Sequence, residues 1–271
     1  MTVVSAFLVP GSPLPYLKAD NPPWKPIADG LKSAGAALQA SKPDVIIAYS
    51  TQWIAVLDEL WQTRPHLKGL HVDENWYEYG DLNFDIRTDV KLAEACVAGS
   101  KEIGVNAKPV DYDAFPIDTG TIVMSAYLNA DGKKPIVIAS NNLYHDGATT
   151  EKLAAMAAAK AKAQGKRAAI VGVGLLSGSI FRKEIDVAQD RVADPAEDAW
   201  NKRMLGMMEK GDVAGIRNAA SAYAKEAKVD MGFKHMFWLL GGLGGSFKSA
   251  KVHGYGPVYG NGAAVVELRP N

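Results

Sequence analysis

Short apolar runs rich in β-branched residues alternate along this chain with longer stretches in which alanine, leucine and lysine recur at helical spacing. Residues 3–9 and 44–50 (DVIIAYS) have the length and composition of buried strands. Residues 134–140 and 167–172 repeat that signature, and the alanine-rich stretch 149–164 between them supplies the helix of a βαβ unit. Helical spacing also marks 24–40, 89–103 and 120–129. Beyond Asp186 it marks a helix opened by Asp194 and Pro195, then 212–227 and 230–243. Residues 81–87 read as a polar strand and 112–121 as a loop. His66 and His71 fall in what reads as a polar loop region.

Each apolar run ends in residues that forbid further pairing. Three prolines and a glycine follow the first (PGSPLP), Thr51, Gln52 and Trp53 enter a loop after the second, and Gly174 to Gly178 follow the fourth. Ligands of open α/β sheets sit outside the carboxyl ends of strands, so these loops are where a site is expected. The tail is different in kind: 253–262 is aromatic and glycine-rich, and 263–268 reads as a half-covered strand closing a hairpin. With no repeat and no linker, the pattern predicts one α/β domain over 1–271, a central mixed sheet flanked by helices, ending in a glycine- and aromatic-rich tail at 252–271.

Composition narrows the function classes. Thirty basic residues balance thirty acidic ones, and no basic run tracks a phosphate backbone, so nucleic acid is not an expected partner. A single cysteine, Cys96, precludes an internal disulfide and suits packing on a helix. The first ten residues lack a basic start, and no apolar run is long enough to span a bilayer, which sets cytoplasmic residence as the expectation. Gly172-Val173-Gly174 does not complete a dinucleotide fingerprint, and Ser177 lies outside a nucleophile elbow.

Five short segments carry the chemistry of interest: Gly11-Ser12-Pro13, Ser50-Thr51-Gln52-Trp53, Asp118-Thr119-Gly120-Thr121, Gly174-Leu175-Leu176-Ser177-Gly178 and Lys234-His235-Met236-Phe237-Trp238. Their order resembles that of the class III extradiol ring-cleaving dioxygenases, from the first strand to the helix at Trp238. The resemblance implies that Gly11, Gln52 and Lys234 stand where two histidines and a glutamate bind Fe(II). It also implies that Thr119 and Gly178 stand where the family places acid/base histidines. Glycine offers no ligand, glutamine only a neutral oxygen, and an ammonium repels a divalent cation. Threonine and glycine have no group titrating near neutral pH.

No catalytic residue, metal or cofactor is therefore expected in this chain. The resemblance implies a metal-free subunit assembled with an Fe(II)-bearing catalytic β partner as an α2β2 heterotetramer. The resemblance further implies that such a complex would open the ring of 2-aminophenol, or a chlorinated analogue, to an aminomuconic semialdehyde. Phe237, Trp238, Tyr255 and Tyr259 are candidate interface anchors, with core packing the competing role for Trp238. His145 and Lys234 are candidates for a vestigial cleft, Lys234 filling the vacated space near Gln52 and Gly11; for His145 a local backbone bond is the plainer role. His66 and His71 are expected at the surface, His235 bonded locally on its helix, and His253 in the tail. Two other readings stay open: a free-standing binding or scaffold protein of the same fold, and an enzyme using Lys234 as base or Schiff-base amine with His145 as proton carrier.

Overall fold

Both faces of the central strands are apolar, and that decides the architecture. In the computed structural model, which describes residues 2–179, 181 and 184–271, β1 (Val3–Val9), β2 (Val45–Ala55), β7 (Ile136–Asn142) and β8 (Ala168–Val173) are buried almost throughout. Successive side chains point to opposite faces, so each strand feeds two cores. Ala6 and Leu8 of β1 enter one, and Phe7 and Val9 enter the other.

The remaining strands are β3 (Glu59–Gln62), β4 (His66–His71), β5 (Leu82–Arg87), β6 (Ala107–Val110), β9 (Ser249–Val258) and β10 (Asn261–Arg269). Eight strands form one mixed sheet in the order β6-β3-β7-β2-β8-β1-β10-β9, with β4 and β5 as a separate antiparallel pair. β7, β2, β8 and β1 run parallel, so their carboxyl ends open on one edge of the molecule. One face carries α3 (Val90–Glu102), α5 (Gly147–Ala163), α6 (Pro195–Glu209), α7 (Val213–Glu226) and α8 (Lys234–Gly242). The other carries α1 (Leu14–Leu17), α2 (Lys25–Ala40), α4 (Thr119–Leu128) and the β4–β5 pair.

Asp89, Asp118, Asp146, Asp194 and Asp212 each accept a backbone N–H in the first turn of α3 through α7, which defines where those helices begin. Such caps contribute about 1 kcal/mol each. Cys96 is buried on α3 and its thiol is pushed up to about 12 by burial, so it packs as an apolar side chain.

Four expectations change. The strand read as 44–50 continues to Ala55, because Thr51, Trp53 and Ile54 favour extended backbone. Gln52 thus lies on a strand rather than in a loop. The tail is part of the sheet: β10 lies between β1 and β9 and is buried on both faces, not half-covered. His66 and His71 begin and end β4. The helix expected over 230–243 starts only at Lys234, after Met231, Gly232 and Phe233 turn left-handed with φ of 46°, 66° and 68°.

Candidate functional site

The carboxyl end of β2 is shaped by two half-buried carboxyl groups. Ser50 Oγ donates to Asp118 Oδ2 at 2.5 Å and Thr51 Oγ1 donates to Asp230 Oδ2 at 2.6 Å. Asp118 also caps α4, and Asp230 accepts from the Leu175 backbone N–H after β8. Burial raises both carboxyl pKa values, and the hydrogen bonds oppose it. These ties fall where the pairing of β2 with β7 slips between Tyr49 and Ile54, and they hold Gln52 facing outward between two buried neighbours.

The Gln52 carboxamide lies against two glycines. A Cβ on Gly11 would come 2.9 Å from Gln52 Nε2, 2.9 Å from the Gly120 Cα and 3.0 Å from Val173 Cγ1. A Cβ on Gly120 would meet Ser50 Oγ at 2.8 Å and Gln52 Oε1 at 3.1 Å. The structure therefore brings Gly11, Gln52 and the start of α4 together. It leaves no room for a side chain at Gly11.

Outside this contact lies a cleft of about 410 Å³ between β2, the loop before α4 and the end of β4. Trp53 and Phe115 form its aromatic wall, ring centroids 6.1 Å apart at 71°. Thr119 Oγ1 is 2.9 Å from His71 Nε2 and 3.4 Å from Asp73 Oδ2. His71 thus supplies an imidazole beside Thr119. Nothing local in the sequence signals this meeting, since 48 residues separate the partners. Gly178 is not among the cleft-lining residues; a Cβ there would meet the Lys228 backbone oxygen at 3.0 Å.

Lys234 goes elsewhere. Its Nζ donates to the Asn142 carbonyl at 2.8 Å and to Asn141 Oδ1 at 3.3 Å, and it has no bond to Gln52 or Gly11 among the described residues. Asn141 Oδ1 also accepts from Tyr49 OH at 2.7 Å, and its amide donates to the Thr51 carbonyl at 2.9 Å. Burial holds the Lys234 ammonium below its ordinary range, with Glu59 and Asp146 acting against that. The expectation that Lys234 fills the space near Gln52 and Gly11 is corrected: the left-handed turn ahead of α8 aims it at the end of β7.

His145 approaches the buried Glu59 carboxylate at 3.3 Å rather than a backbone group. Glu59 also accepts from Ser140 Oγ at 2.9 Å, and burial raises its pKa. His235 is not bonded locally: it is fully buried on α8, both ring nitrogens lack partners among the described residues, and burial lowers its pKa to about 3. His66 pairs with Asp85 at the surface, and His253 bridges Ser33 and Glu267.

Trp238 is a core residue. It is 1 % exposed and stacked on Tyr49 at 5.2 Å, so its ring is not available to a partner surface. Phe237 is half-buried over Gly147, Tyr255 donates to Asp198 at 2.6 Å, and Tyr259 packs on Trp76 at 4.6 Å.

A family profile described as the catalytic LigB subunit of aromatic ring-opening dioxygenase matches residues 6–266. The chain belongs to the LigB family. Within it, the chain is 54% identical over 269 residues to the 2-aminophenol 1,6-dioxygenase alpha subunit of a Pseudomonas species, covering 99% of each. It is 27% identical to the 2-aminophenol 1,6-dioxygenase beta subunit of a Pseudomonas species, covering 98% of this chain and 93% of the relative. The 3,4-dihydroxyphenylacetate 2,3-dioxygenase of Escherichia coli is 22% identical over 85% of each chain. A crystal structure of an uncharacterized protein from Escherichia coli K12 shares the fold, with a TM-score of 0.67 at 12% identity over 98% of this chain and 99% of that one.

The Fe(II) implied by the resemblance to ring-cleaving LigB members does not fit the residues present. Gly11 and Gln52 adjoin but offer one neutral oxygen between them, and Lys234 brings an ammonium bonded to the end of β7. Among the described residues no three His, Cys, Asp or Glu side chains are grouped as a metal ion requires. Among the described residues no helix is long and apolar enough to cross a membrane.

Proposed function

We propose that this chain is the alpha subunit of a 2-aminophenol 1,6-dioxygenase. It holds no metal itself and assembles with an Fe(II)-bearing beta subunit in the cytoplasm as an α2β2 heterotetramer. The complex opens the ring of 2-aminophenol, or a chlorinated analogue, to an aminomuconic semialdehyde. The observation that carries this reading is the 54% identity to an alpha subunit of that enzyme across 99% of both chains. The donor set at Gly11, Gln52 and Lys234 supports the metal-free role.

Association is the function left to such a chain, because buried apolar surface stabilises a complex whether or not chemistry occurs on both sides. Ile54, Val56 and Leu57 leave β2 exposed, beside the equally exposed Leu143 and Tyr144. The two segments are joined by the Leu143 N–H bond to the Ala55 carbonyl. A cluster of that kind is a favourable place for a protein contact.

The test is to measure iron content and oxygen-dependent ring cleavage of 2-aminophenol for this chain alone, for a co-expressed beta-type partner alone, and for both together. Iron should follow the partner, and stable activity should require both. Stoichiometric iron with oxygen uptake by this chain alone would overturn the reading.

A further inference from the structure

The cleft beside Gln52 keeps the walls of a small-molecule site although, among the described residues, its side chains are not grouped to hold a metal ion. Its volume of about 410 Å³ falls in the range of roughly 300–1,000 Å³ usual for such sites. It lies outside the carboxyl ends of parallel strands, where open α/β sheets bind ligands. Phe115, backed edge-to-face by the largely buried Trp53, gives the cleft an aromatic side against which a single ring can pack. Other lining groups can hydrogen-bond ring substituents: the His71–Thr119 pair at 2.9 Å and the Gln52 carboxamide.

Charge sets the class of ring. Asp73, Glu74 and Asp118 line the cleft, and no lysine or arginine is among its described lining residues. His71 is the single group there able to carry a positive charge. Asp118 lies at the amino end of α4 and accepts from its first turn, so a carboxylate of the chain already takes up that positive helix end. A ligand carboxylate would meet like charge from Asp73, Glu74 and Asp118 with only His71 to pair it, and such juxtaposition disfavours it. Phenolic hydroxyl and aromatic amino groups are donors and suit the acidic lining.

We infer that this cleft binds, without transforming it, an uncharged single-ring aromatic bearing hydroxyl or amino groups, and that it rejects rings carrying a carboxylate. The ligand class overlaps the substrate of the proposed complex and to that extent rests on that reading, but the cleft itself lies within this chain. Phe115, backed by Trp53, takes the ring face, and His71 and Gln52 take the substituents.

Equilibrium dialysis of the assembled complex under argon, with 2-aminophenol as probe, tests this. Two equivalents should bind per pair of unlike subunits, and one should be lost in His71→Leu and in Phe115→Leu, two variants on different elements. On the wild-type complex, 2-amino-3-hydroxybenzoate should occupy the His71-dependent site about tenfold more weakly or less. A single equivalent in the wild type, two equivalents persisting in both variants, or equal binding of the carboxylated ring would overturn the inference. If no partner co-purifies, the subunit reading fails, yet the same dialysis on the chain alone still decides between one equivalent and none.

Discussion

The carboxyl edge of the sheet has two halves that are built in opposite ways. Around β1, β2 and α4 the edge stays open, with Gly11 and Gln52 in contact and a cleft above them. Around β7 and α8 it is closed, with Lys234, Asn141, Tyr49 and Trp238 packed into one buried group. An iron site needs residues from both halves to converge. Here each half follows its own neighbours: backbone proximity in one, burial in the other.

Breaking the closed half should have the largest effect. Trp238→Ala removes a fully buried indole stacked on Tyr49 and is expected to cost about 3–5 kcal/mol, read by urea or thermal unfolding. A loss under about 1 kcal/mol would mean that the ring does not carry the packing assigned to it.

The open half is tested by addition rather than removal. Gly11→His restores the imidazole that the family resemblance implies, but its Cβ meets the Gly120 backbone, which cannot rotate away. Overpacking of this kind costs about 3 kcal/mol, and the variant should gain no tight Fe(II) binding in dialysis. A stable variant that takes up stoichiometric iron would show the frame to be looser than the glycine contacts imply.

The third test separates the halves by pH. His235 has a folded pKa of about 3 against an unfolded value near 6.5, so the unfolded state binds the proton first. Stability is therefore full above pH 6.5 and falls as pH drops toward 3, by about 2 kcal/mol between pH 7 and 5. His235→Met should flatten that slope and, by removing two unpartnered nitrogens, leave stability at pH 7 equal or higher. An unchanged acid slope in the variant would place the dependence on other groups.

How much of this was readable beforehand depended on how local the cause was. β1, β7, β8 and most helices follow from apolar runs, alanine spacing and capping aspartates within a few residues, and they appear where those signals place them. The meeting of Gly11 with Gln52 was legible only through the resemblance of their segments to known ligand loops. The direction of Lys234 was not legible, because it is set by three left-handed residues of which only Gly232 shows any sign in the sequence. His71 was hidden for another reason: β4 is short and polar, and its pairing with β5 has to form before the imidazole can arrive beside Thr119.

The turn at Met231 and Phe233 costs the backbone about 1–2 kcal/mol for each side chain held left-handed, which the Asp230 bonds to Thr51 and Leu175 offset in part. It is also held by Phe233, sunk at 0 % exposure against Tyr223 and His235. The orientation of α8 is thus latched from a neighbouring helix. The packing of the closed edge therefore depends on the contact of Phe233 with Tyr223 of α7.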